Sequence, residues 1–497
     1  MKVAFIGNQG GRQVLSFYAG MARALNNEFG VRSHFSVWID GERDIPSELG
    51  MCNSQISSFE SYVKSTPVAG SADVDRLLRE YREVNWSEVV AVERAFTDYS
   101  MLLGAAGDRR ESNIYVQQLV VALVRYFEGI VVDSDAVICQ TADTLLSLIA
   151  VKVAQHHAVP VFAIRPATLL EPGTEGGFFG NSEFLECRRM MKAYSAREGL
   201  TLSPFELTRV ASLIKVIRGV VGLTSFHANT SKGKSSGRKA ITPNLKRILP
   251  YLRENAMLDK NIHYTKFDPL RKVSANILRA VRKRMTRGVY GPISVDGIPR
   301  NSVFYALHFQ PEQTTLAQGI WYANQVALVE NLSKSMPLGF TLVVKEHPWG
   351  RGNRPAWQYK HMAGLYNVMF CDAPAKQIIQ RVDAVIAVTG TVAMEALIFD
   401  KPAVVLGRTF FDFSDLLYLV RNVQDLPEVL AKILVDSDYK NQTNREERLH
   451  RFLISYLDGL IPYFPLPQNS EQWGRALASE LGIRPVSLEN RSEKDKR

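Results

Sequence analysis

Residues 341–350 read TLVVKEHPWG, and residues 383–407 read DAVIAVTGTVAMEALIFDKPAVVLG. Each apolar run is short, ends in polar or turn-forming residues, and is bounded by Gly or Pro. A helical pattern separates the last two runs. That alternation predicts a parallel sheet built from βαβ units. Ligands of such sheets sit outside the carboxyl ends of the strands. His347 and the Thr389-Gly390-Thr391 turn both fall at such ends.

Working outward, the same alternation returns near the N-terminus. Lys2 to Gly7 reads as a strand, Asn8 to Gly11 as a turn, and Val14 to Leu25 as a helix, with a second strand from Ser33 to Ile39. The turn offers backbone N–H groups of Gly10 and Gly11 to an anion. The same two glycines also read simply as residues that let the turn close. Residues 44–113 carry little pattern. A helix from Tyr115 to about Gly129, a strand from Ala136 to Gln140, a helix from Thr144 to His156 and a strand from Val159 to Ile164 follow. After Arg165-Pro166 comes the loop Glu171 to Gly180, in a position where loops often carry function. His156 and His157 suit a helix C-terminus and read as structural.

A chain of 497 residues exceeds one ordinary core and implies two domains. The apolar fraction of 46% and charged fraction of 22% are those of a globular protein. Cys52, Cys139, Cys187 and Cys371 have no paired spacing, which argues against disulfides or a zinc site and fits a reducing cytosol. The apolar stretch from Leu119 to Cys139 is interrupted by Arg125, Glu128, Asp133 and Asp135, so an integral membrane protein is not expected.

The net charge of +10 is regional. Between Ser231 and Tyr290 there are 16 Lys or Arg against Glu254, Asp259 and Asp268. Such a cluster points to an anionic partner, such as lipid headgroups on the inner face of the plasma membrane, or else to a solvated helical face. Residues 231–239 are Gly/Ser-rich and basic, and the Gly/Pro-punctuated stretch 288–299 marks a domain boundary.

The second domain begins with a strand from Ser302 to Phe309. Thr315 and Gln318 have capping-box spacing ahead of a long helix, on which Ala317, Trp321, Leu328 and Leu332 share an apolar face. Helices are expected over Leu426–Leu434 and Arg445–Tyr456, and a charged, disordered tail from Arg484. Binding phosphate without a metal requires fixed donors, and the Thr389–Thr391 turn supplies them at a helix start. Thr391 also reads as a plain helix cap. Glu395 lies four residues after it, one beyond the capping-box position, where it can accept from ribose hydroxyls. His347 can donate to a leaving phosphate, and Lys345, Arg351 and Arg354 can add positive charge there.

The sequences QPE at 310–312, KEHP at 345–348, TGT at 389–391 followed by Glu395-Ala396, and KPAVVLG at 401–407 resemble the bacterial capsular polysaccharide biosynthesis glycosyltransferases. That family includes transferases using cytidine-monophosphate-activated Kdo. The resemblance covers roughly Phe304 to Phe411. It implies an α/β, GT-B-like fold: two Rossmann-like domains facing across a cleft, here with a helical basic insertion. The domains would be an acceptor domain at 1–290, including the basic segment 200–290, a nucleotide-sugar domain at 300–483, and a tail at 484–497. It implies a CMP- or UDP-linked sugar as co-substrate, no cofactor and no obligatory metal. On this chain His347 would contact the donor phosphate, with Thr389, Gly390 and Thr391 around it, Glu395 on the ribose, and Glu312 lining the cleft. Lys345 and Arg351 complete the donor set. Glu175 and Glu171 are the candidates for a general base, and Gly10 and Gly11 those for acceptor binding.

The expected function is transfer of the sugar to a growing or lipid-linked surface polysaccharide, in the cytoplasm or peripherally at the membrane. The alternatives are a non-catalytic assembly subunit of polysaccharide synthesis or export, a nucleotide-sugar epimerase of the same architecture, and a nucleic-acid-binding protein. The last is disfavoured because the basic residues lack interleaved aromatics.

Overall fold

The computed structural model describes residues 1–7, 11–48, 55–96, 113–170, 174–219, 269–286 and 288–485. Gly10, Glu171 and most of the basic stretch 231–290 lie outside them.

Two sheets of six strands organise these residues. The first contains β1 (Lys2–Ile6), β2 (Arg32–Val37), β3 (Gln55–Ser58), β4 (Ala136–Cys139), β5 (Val161–Pro166) and β6 (Gly177–Gly180). Its order is β3-β2-β1-β4-β5-β6, parallel except for β6. The second contains β7 (Ser302–Ala306), β8 (Thr341–Lys345), β9 (Val368–Phe370), β10 (Ala384–Ala387), β11 (Ala403–Val405) and β12 (Tyr418–Leu419). Its order is β9-β8-β7-β10-β11-β12, all parallel. Each sheet thus follows the doubly wound order in which chain direction reverses beside the first strand, opening a crevice between that strand and the fourth. The inner strands are apolar on both faces because helices cover both. Val385, Ile386, Val343 and Phe304 are fully buried.

The helix Asn113–Val131 is long and apolar enough to cross a bilayer, the one such helix among the described residues. It serves instead as a core helix. Leu123, Val124, Phe127 and Ile130 are buried, Arg125 pairs with Asp73, and Tyr126 donates to Ser57 O at 2.9 Å.

Two expectations are corrected. The long helix after Thr315 is broken into Gln313–Leu316, a 3₁₀ turn at Ile320–Tyr322 and Gln325–Ser335. The cause is Gly319, whose backbone lies so close to β10 that an added Cβ would sit 2.3 Å from Val388 Cγ1. Gln318 reaches across to Phe184 O at 3.0 Å instead of capping, and Trp321 is 79% exposed instead of core. Second, the segment 300–483 is not self-contained. The helices Arg445–Gly459 and Ser470–Glu480 return to the first half. Trp473 is fully buried against Phe17 and Phe179, at ring separations of 6.0 and 5.0 Å. The close approach needs small residues: a Cβ on Gly20 would overlap Ser470 Oγ, and one on Gly474 would meet Met21 O at 2.6 Å.

Candidate functional site

The register of the second sheet decides which residues meet. Ser302 pairs with Thr341 and Ala306 with Lys345, while Tyr305 pairs with Ile386. Carried past the strand ends, that register sets His308 level with His347 and with Thr389. All three stand at the carboxyl edge, two residues past the ends of β7, β8 and β10, around the crevice where this strand order places ligands. The imidazole of His308 lies against the turn: a Cβ on Gly390 would sit 3.3 Å from its Cε1 and 3.9 Å from its Nε2.

His308 is held by its backbone. Gln325 Oε1 accepts from His308 N–H at 2.6 Å, and Gln325 Nε2 and Arg354 Nη2 donate to His308 O at 3.1 and 3.0 Å. Its Nε2 is buried with no hydrogen-bond partner among the described residues. Burial first, then the neighbouring His347 and Arg354, push the imidazole down to about 4, so it is neutral at pH 7. Nothing in the reading of single motifs marked His308. The signal was available in the parallel alignment, because each of the two strands carries a His six residues after its first.

His347 is held by the buried Glu346. Glu346 Oε1 accepts from His347 N–H at 2.8 Å, while its Oε2 accepts from Arg354 Nη1 at 2.5 Å and from Tyr359 Oη at 2.6 Å. Trp349 N–H donates to His347 Nδ1 at 3.2 Å. A ring nitrogen that accepts leaves the proton of the neutral ring on the other, so His347 Nε2 is a donor. Arg354, read as a charge for the donor, is 8% exposed and ties the His347 turn to the His308–Gln310 loop.

Other expected residues take other duties. Lys345 Nζ is 3.2 Å from Asp372 Oδ1, and Arg351 pairs with the same carboxylate. Thr389 is buried and donates its hydroxyl to Thr314 O at 3.1 Å. Thr391 precedes the helix Val392–Ile398 without a side-chain capping bond, so the plain cap reading fails. Glu395 is buried in that helix. Burial raises its carboxyl, opposed by Lys376 nearby. Lys376 Nζ in turn donates to Ile217 O at 2.5 Å, and Arg218 Nη2 to Ile398 O at 2.6 Å, so the first half grips this helix at its far end.

Glu312 faces the first half. Its Oε2 accepts from Thr314 Oγ1 at 3.2 Å. Burial raises its carboxyl, opposed by Arg165 at the end of β5, while Asp143 beyond β4 acts to raise it and Arg94 to lower it. Arg94 and Asp143 form an ion pair at 2.7 Å. The fourth and fifth strands of the first sheet therefore present charge to the second half at Glu312. Glu175 is exposed in the loop leading into β6, and Gly11 opens the first helix with a φ of +56°.

Residues 234–419 match the family model described as capsule polysaccharide biosynthesis protein. The matched stretch is 186 of the 497 residues. The match contains each motif on which the resemblance was read. The capsule polysaccharide export protein KpsS of Escherichia coli is 28% identical over 103 residues, 20% of this chain and 26% of that protein. The chain therefore aligns with about a quarter of its curated relative. Among solved structures, the chain is similar to the β-Kdo 2,4 transferase KpsC of Thermosulfurimonas dismutans, with a TM-score of 0.30 and 11% identity over 65% of this chain and 79% of that one. It is also similar to Anabaena HepE in complex with UDP-glucose, with a TM-score of 0.29 and 11% identity over 97% and 100%. The fold assignment rests on the two strand orders.

Proposed function

We propose that this protein is a glycosyltransferase that takes a sugar from a CMP- or UDP-linked donor and passes it to a growing or lipid-linked surface polysaccharide. The observation that carries the reading is the convergence of His308, His347 and Gly390 at the crevice beside β7. Two imidazoles meet at the glycine of that turn, and their ring N–H groups with the turn amides are the donors we assign to a phosphate. In this reading the Nε2–H of His347 donates to the phosphate oxygen that gains charge as the sugar leaves. His308 stays neutral and spaces the two turns, and Gly390 lets the phosphate approach the backbone. Protein donors, rather than a metal, meet the phosphate charge.

Glu312 is our preferred acceptor for the incoming hydroxyl's proton, in place of Glu175. A carboxyl raised by burial is better matched to that task near neutral pH than a solvated one. Arg165 opposite favours its ionised form. Glu395 keeps its proposed role on the ribose only if binding draws it from Lys376.

The test is transfer of a radiolabelled sugar from CMP- and UDP-linked donors by wild type and His347→Ala. Loss of at least a hundredfold in rate by a variant that unfolds at the wild-type temperature is expected. Wild-type turnover in that variant, or none in either protein with any donor, would remove the proposal. The relation to capsule biosynthesis equally accommodates a subunit that binds nucleotide sugar without turnover, and the second outcome would favour it.

A further inference from the structure

The helix Pro269–Met285 carries Arg271, Lys272, Arg279, Arg282, Lys283 and Arg284 and no acidic residue. It packs on the second half through one face only. Ala275 is buried there, Arg282 Nη1 donates to Asn353 O at 3.0 Å, and Arg279 donates to the carbonyl of Trp349. Gly352 permits the fit. Its φ is +84°, and a Cβ there would lie 2.4 Å from Arg279 O. The helix is therefore seated directly on the loop that carries His347.

Among the described residues, its opposite side is apolar and exposed. Val273, Ile277, Val281 and Met285 recur every four residues and so form one line along the helix, about 18 Å long. They are 38%, 54%, 49% and 67% exposed. A line of branched and long apolar side chains facing water has an unfavourable cost that needs a compensating cover. Positive charge on the same helix selects what covers it. A polyanion such as nucleic acid would use the charges and leave the apolar line wet, and a second copy of this helix would bring like charges together. An anionic bilayer surface takes both, with apolar residues at the acyl boundary and Lys/Arg among the lipid phosphates.

We propose that Pro269–Met285 is an interfacial helix that docks the protein on an anionic membrane and holds the His347 loop about one helix diameter from that surface. The inference does not rest on glycosyl transfer.

The test is flotation of the full chain with phosphatidylcholine vesicles, with and without phosphatidylserine, for wild type and the double variant Ile277→Glu, Val281→Glu. Wild type should float only with the anionic vesicles and less so at high salt. The double variant should partition at least tenfold less, with an unchanged unfolding temperature and unchanged nucleotide binding. A second variant, Lys283→Gln with Arg284→Gln, should weaken flotation and flatten its salt dependence. The proposal is overturned if wild type does not float, or floats equally with neutral vesicles, or if the double variant floats like wild type. It is also overturned if the double variant lowers the unfolding temperature, which would mean that the line is covered within the chain. Conversion of a dimer to a monomer in light scattering would assign the line to a second copy and overturn it too.

Discussion

Replacing Arg354 by Met should damage both stability and donor binding, because this side chain joins the two histidine loops. Met keeps most of the volume and removes the charge. What it leaves behind is the Glu346 carboxylate, whose side chain is fully buried, with Tyr359 Oη and His347 N–H still donating to it. Losing one partner of a buried pair costs about 3–5 kcal/mol. Spread over a chain of 497 residues that unfolds together, that is a fall of roughly 3–5 °C in unfolding temperature. Thermal unfolding at pH 8, with Glu346→Gln and the double variant completing a cycle, measures this. The double variant should be more stable than Arg354→Met alone. Additive losses, or an Arg354→Met protein unfolding within a degree of wild type at pH 8, would refute the assignment of Arg354 as the link.

Three further outcomes follow from the same contacts. His308, pushed down to about 4, contributes stability that is whole above its unfolded value near 6.5 and lost as pH falls toward 4. Wild type should therefore lose about 3 kcal/mol more than His308→Phe over that window in denaturant titrations. Equal losses would show that the imidazole is not buried neutral. If Glu312 accepts the acceptor's proton, kcat/KM should fall as pH drops through a midpoint above the ordinary Glu range, and Glu312→Gln should lack that limb. An unaltered limb in Glu312→Gln would return the role to another group. Trp473→Ala should cost about 3–5 kcal/mol and expose the helix Gly11–Phe29 to hydrogen exchange, whereas protection lost only in the second half would contradict the return of the C-terminal helices.

The sheets were legible because strands in doubly wound folds are buried on both faces, so runs such as VFYA at 303–306 and AVIA at 384–387 announce themselves. The helix Leu426–Leu434 was legible to the residue. Motif position also placed His347 and the Thr389–Thr391 turn at sheet ends. What single-strand reading misses is anything set by a neighbour. His308 acquires meaning only through the β7–β8 register, and Asp143, Arg165 and Arg94 only through Glu312 across the halves. The break at Gly319 is set by Val388, 69 positions away in sequence. The long-range return of Trp473 to the first core has no local signature, since an amphipathic helix does not specify which sheet it covers. Lys345 and Arg351 show the converse: their positions fit the expected donor set, but Asp372 engages both.

Titration calorimetry tests the proposed phosphate-binding crevice between β7 and β10 most directly. Cytidine and uridine mono- and diphosphates would be titrated into wild type and His347→Ala in chelator-treated buffer. Saturable binding of at least one of these nucleotides by wild type, weakened tenfold or more in His347→Ala at unchanged unfolding temperature, is the predicted result. Equal affinity in the two proteins, or heats no larger than dilution for every nucleotide, would contradict it.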